Sequence, residues 1–70
     1  MPNLKLQANL RAIREKLGIS QCDLAHKIGH TGRGAQSYIS RIENGQRDPT
    51  LDNLIKIAAA LGVKLDALVK

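Results

Sequence analysis

Gln36, Ser37, Ser40, Arg41 and Asn44 set two amides, two hydroxyls and a guanidinium close together in the chain. These groups can hydrogen-bond the edges of bases and the oxygens of phosphates. A Gln pairs bidentately with adenine and an Arg with guanine, each good pair contributing about 1–3 kcal/mol of discrimination. On a helix turning about 100° per residue, all five fall within about 140° of arc, while Ala35, Tyr38, Ile39 and Ile42 gather on the opposite side. One face is oily enough to bury, and the other carries groups that a core does not need. The pattern implies sequence-specific recognition of DNA by a helix.

The rest of the chain reads as elements that could position that helix. Leu6, Leu10, Ile13 and Leu17 recur with helical spacing and predict a first helix from about Leu4 to Leu17, capped by Asn3 and stopped by Gly18. Ser20, with Asp23 three residues on, is a capping-box start for a short second helix, whose buried stripe is Leu24, Ala25 and Ile28 and whose stop is Gly29. The third helix covers about 35–44 and ends at Asn44-Gly45. After the loop Gln46 to Pro49, Thr50 caps a fourth helix with Asp52 in its first turn. Its expected buried face is Leu51, Leu54, Ile55, Ala58 and Leu61, broadened by Ile57, and Gly62 ends it. Val63, Leu65, Leu68 and Val69 suggest a short fifth helix. No alternating strand pattern, repeat or linker interrupts this series, so residues 1–70 read as one all-α domain.

Composition narrows the function further. A domain of 70 residues buries only about 60% of its unfolded surface, and without Trp or Phe its core must be aliphatic. With a single Tyr the chain also lacks the aromatic platform of modules that stack single-stranded bases. Eleven Lys plus Arg against six Asp plus Glu give a formal charge of +5, spread along the chain. A basic fold of this kind suits a polyanionic partner. Cys22 is alone, which excludes an internal disulfide and fits a reducing compartment, and no apolar stretch approaches the roughly 20 residues of a membrane span. The expected setting is cytoplasmic, with no membrane partner. His26 and His30 are four apart but lack a third ligand, so no metal or other cofactor is expected. No nucleophile lies in a recognisable constellation, so no enzymatic activity is expected.

Leu10-Arg-Ala-Ile-Arg14, Gly18-Ile-Ser-Gln21, Leu24-Ala25, Gly29, Ser37 to Gly45, Pro49-Thr50 and Leu54 to Val63 together resemble the phage repressor and Cro type of helix-turn-helix regulator. The likeness covers nearly the whole chain. It implies a compact five-helix, lambda-repressor-like DNA-binding domain whose second helix crosses the DNA backbone and whose third enters the major groove. By the same resemblance Gln21 anchors a phosphate at the start of the second helix, where free amides and the dipole favour an anion. Gln36, Ser37 and Arg41 match base-reading positions, with Ser40 beside them. Asn44 matches a phosphate contact, and Arg47 is placed to reach phosphate or the minor groove. Taken alone, Ser40 and Arg47 read equally well as solvated surface residues. Arg14 and Glu43 match a partly buried ion pair that fixes the third helix.

One stretch departs from the family pattern. His30 to Ala35 lengthens the turn between the second and third helices by roughly four residues over the usual three or four. Gly32 and Gly34 discourage helix there, so a loop of limited order is expected, and Ala35 stands where Ser or Thr would cap, leaving Thr31 or Gly34 as weaker substitutes. The loop reads as a tolerated insertion, or as a DNA contact in which Arg33 between glycines meets a phosphate. A nucleotide-binding loop does not fit the glycine order. The function implied is a transcriptional regulator, of repressor type, that binds a palindromic double-stranded operator as a homodimer. Its dimer contacts are expected from Val63 to Val69. The alternative is a protein-interaction module on the same fold, such as an antitoxin or anti-repressor.

Overall fold

A computed structural model describes residues 4–32 and 34–70, so the expected Asn3 cap and the expected Arg33 contact lie outside the described residues. Among the described residues there are five helices and no strand: α1 (Leu4–Lys16), α2 (Gln21–Lys27), α3 (Ala35–Glu43), α4 (Leu51–Leu61) and α5 (Leu65–Val69). The radius of gyration, 10.7 Å, matches the roughly 11 Å of a compact chain of this length. The all-α, five-helix expectation therefore holds.

Local chemistry sets the boundaries. Ser20 Oγ accepts from the Asp23 amide at 3.0 Å to open α2, and Thr50 Oγ1 accepts from the Asn53 amide at 3.2 Å to open α4. The end of α1 shows how the helices close. The Gly18 amide donates to Glu15 O at 3.0 Å and the Ile19 amide to Arg14 O at 3.1 Å, which satisfies carbonyls that the helix would otherwise leave bare. The same paired closure recurs after α2, α3 and α4. α3 begins differently: Gly34, at φ 87°, stands at its N-cap with no side-chain hydrogen bond.

The core gathers Leu6 and Leu10 of α1, Leu24 and Ala25 of α2 with Ile28, the inner face of α3, Ile57, Ala58 and Leu61 of α4, and Leu68 of α5. Asn9 Nδ2 donates to Leu68 O at 3.1 Å, fastening α5 back onto α1. Three apolar residues expected inside are not. Leu17 falls just past the end of α1 and is 50% exposed, and Leu51 and Ile55 are 64% and 50% exposed. α4 turns Leu54, Ile57, Ala58 and Leu61 toward the core, which places Leu51 and Ile55 roughly a quarter turn away. In the C-terminal segment Leu68 is fully buried, and Val63 and Val69 are partly buried against the core.

Candidate nucleic-acid interface

α3 has the two faces that its sequence predicts. Ala35, Tyr38, Ile39 and Ile42 are buried, whereas Gln36, Ser37, Arg41 and Asn44 are exposed and Ser40 is half-buried. Asn44 Nδ2 donates to Ser40 Oγ at 3.3 Å across one turn, so these two polar groups organise each other. Ser37 and Arg41 project from the same surface.

Glu43 ends α3 on the inner side with a side chain fully removed from solvent. A lone carboxylate there would be costly, and its oxygens are well supplied. Arg14 Nε donates to Oε2 at 2.7 Å, and Oε1 accepts from Arg14 Nη2 at 3.1 Å, Arg11 Nε at 3.2 Å and Gln21 Nε2 at 3.3 Å. Burial pushes the Glu43 carboxyl up, but the hydrogen bonds from Arg14, Gln21 and Arg11 outweigh it and hold the group below the ordinary glutamate range. The bond to Glu43 likewise raises Arg14 above its usual value. Arg14 Nη1 also donates to Ile19 O at 2.9 Å. One guanidinium thus ties α1 to the turn before α2 and to the end of α3.

Gln21 extends this network outward. Its amide donates to Glu43, and its Oε1 accepts from Gln36 Nε2 at 3.4 Å. The ion pair, the glutamine at the start of α2 and the first polar residue of α3 therefore form one chain of hydrogen bonds. Arg11, half exposed, is the member that sequence reading missed. Its position three residues before Arg14 on one helical face was the available signal.

A second cluster flanks α3. The His30 ring stacks on Tyr38 with centroids 4.3 Å apart and planes within 10°, and Arg47 Cζ lies 5.1 Å from the Tyr38 centroid. Asn53 Nδ2 and the Tyr38 hydroxyl hydrogen-bond at 2.7 Å. The first residue of the lengthened turn is thus held against α3 by this stack. Tyr38 and Asn53 had no functional reading from sequence, because their partners come from other elements. Cys22 Sγ lies 3.7 Å from His26 Nε2 on the exposed side of α2. Among the described residues no three His, Cys, Asp or Glu side chains gather where a metal could sit, and no helix is long and apolar enough to cross a membrane.

Residues 10–68 match the Helix-turn-helix family. The chain belongs to it. This helix-turn-helix domain is 42% identical over 55 residues to control protein C.MunI of a Mycoplasma species, covering 79% of this chain and 69% of that protein. It is 32% identical over 65 residues to the cryptic phage CTXphi transcriptional repressor RstR of Vibrio cholerae, covering 93% of this chain and 54% of the repressor. A third relative, an uncharacterised HTH-type transcriptional regulator of Sinorhizobium fredii, is 41% identical over 56 residues, covering 80% of this chain and only 26% of that protein. The chain thus spans from about a quarter to about two thirds of the length of these relatives. No solved structure matches the chain significantly.

Proposed function

We propose that this helix-turn-helix domain is a sequence-specific transcriptional regulator of repressor type, acting in the cytoplasm on a palindromic DNA operator as a homodimer. The observation that carries the reading is the exposed polar face of α3, mounted on a helix whose opposite face is buried and whose end is locked through Glu43. Gln36, Ser37, Ser40 and Arg41 read base edges in the major groove, with α2 lying across the backbone. Gln21, Asn44, Arg47 and Arg33 contact phosphates. Arg14 and Glu43 act on the fold and not on the DNA. Relatives named as a transcriptional repressor and as a control protein support the regulatory role.

A single reading helix covers few base pairs, and two-fold pairing sets two copies one DNA turn apart, about 34 Å. Selection of bound duplexes from a random pool is expected to return a two-fold symmetric site with half-sites at that spacing. Binding to the selected site should weaken steeply with salt, because several phosphates are contacted. Recovery of no enriched sequence, with weak binding to every duplex, would overturn the proposal.

A further inference from the structure

Tyr38 is buried, at 7% exposure, and three other elements meet its side chain. His30, whose amide donates to Ala25 O at 2.9 Å where α2 closes, stacks on the ring with centroids 4.3 Å apart. Asn53 Nδ2 reaches the hydroxyl at 2.7 Å from the first turn of α4. Arg47 follows Gln46, whose amide is tied to Arg41 O at 2.8 Å, and brings its Cζ to 5.1 Å from the ring centroid. Both the backbone before Arg47 and its guanidinium are therefore placed.

What Arg47 lacks is a partner for its charge. Arg11 and Arg14 spend their donors on Glu43. Among the described residues the exposed Arg47 forms no ion pair, although Asp48 is its neighbour in the chain. A guanidinium over a ring uses its flat face, while its N–H donors lie in the plane and remain available at the edge. That edge matches the paired oxygens of a phosphate. We propose that Tyr38, with His30 stacked on it, is a positioning residue for Arg47, holding the guanidinium ready to donate to a DNA phosphate beside the C-terminal end of α3.

The gain is entropic. A long side chain loses rotamer freedom when it is fixed against a phosphate, and that loss is subtracted from the affinity. Here part of the loss is taken when the chain folds, because the ring restricts Arg47 before DNA arrives. Ring and phosphate do not compete, since one meets the face and the other the edge. The lengthened turn thereby acquires a use: through His30 and Tyr38 it acts on a contact made from the loop at the opposite end of α3. This inference rests on the proposed DNA binding and goes beyond it in naming what prepares the contact.

The test measures binding of the whole chain to the selected duplex and to a scrambled duplex of equal length, across a salt series. Arg47→Ala is expected to weaken both by the same factor and to lower the salt slope by about one. Tyr38→Leu and His30→Ala, with folding checked by circular dichroism, should each weaken binding about three- to fivefold while Arg47 is present, and should change little in an Arg47→Ala background. Tyr38→Phe keeps the ring but loses the Asn53 bond, and should restore most of what Tyr38→Leu loses. Losses that add in the double variants, or equal losses in Tyr38→Phe and Tyr38→Leu, would show that the cluster serves the fold alone and would overturn the inference. So would an Arg47→Ala variant that binds as before, or one weakened only on the selected duplex, which would mean a base contact. If Tyr38→Leu does not fold, the cycle of His30→Ala with Arg47→Ala decides. Failure of the unmodified chain to select any sequence would defeat the proposed function instead, before a variant is compared.

Discussion

The two ends of α3 are held by different physics. At its C-terminal end Glu43 is buried and receives hydrogen bonds from α1 and α2 side chains. Just beyond it, the Gly45 amide donates to Ile42 O at 3.1 Å and the Gln46 amide to Arg41 O at 2.8 Å. At its N-terminal end a glycine with no side chain supplies the cap, and His30 of the preceding loop stacks on Tyr38. Charge and hydrogen bonds centred on a buried carboxylate hold one end, while the other, without a side-chain cap, is held by the contacts of Tyr38 with His30 and Asn53 and by the 3.4 Å link from Gln36 to Gln21. A recognition helix can thus be anchored rigidly at one end and left adjustable at the other.

The strongest way to break the contrast is to remove the anchor. Arg14→Ala leaves Glu43 buried with only Arg11 and Gln21 to serve it, and should cost about 3–5 kcal/mol, lowering the melting temperature by about 12 °C or more. Arg11→Ala removes a half-exposed partner and should cost under about 1 kcal/mol. Acid removes the same anchor. Because the folded value of Glu43 is depressed, its contribution is present above the ordinary glutamate range and is lost as pH falls through the lower folded value. Glu43→Gln should flatten that acid limb in denaturant melts taken across pH, and an unchanged limb would count against the network.

The contrast should also appear in DNA affinity. Arg41, in the anchored last turn, should lose about 1–3 kcal/mol of specific binding on replacement by Ala, with the fold intact. Gln36→Ala, in the uncapped first turn, should lose less, since its side chain is held only by the long 3.4 Å bond to Gln21. Equal losses measured on the same operator would show that both ends are equally set before binding. At the two flanking glycines, a Cβ at Gly34 meets nothing within 4 Å, whereas one at Gly45 would lie 2.6 Å from Gln7 Nε2. Each Ala variant should cost about 1–2 kcal/mol for its left-handed backbone, with Gly45→Ala the costlier because Gln7 must also move. Smallest is His30→Ala. It should change global stability by under about 1 kcal/mol yet speed amide hydrogen exchange in the first turn of α3 far more than in the last.

Much of this was legible from local pattern. Ser20, Thr50 and the closing glycines mark helix ends by chemistry that acts within a few residues, and the two faces of α3 follow from its period. α4 was read less well: Leu51 and Ile55 share a helical period with Leu54 and Ala58, and periodicity alone cannot say how far a helix is rolled about its axis. The site shows the same division. The polar stripe is a property of one helix, but the links of Arg11 and Gln21 to Glu43, and of His30 and Arg47 to Tyr38, join residues that only the tertiary fold brings together.

Tyr38 is the only aromatic residue besides the histidines in a chain without Trp or Phe. Its ring is touched by one loop before α3 and one loop after it. All intrinsic ultraviolet fluorescence of the protein therefore originates at this junction. Any rearrangement of the lengthened turn, whether on meeting an operator or on local opening, is written into the emission of a single chromophore, and the protein can be followed in dilute solution without a dye or a tag.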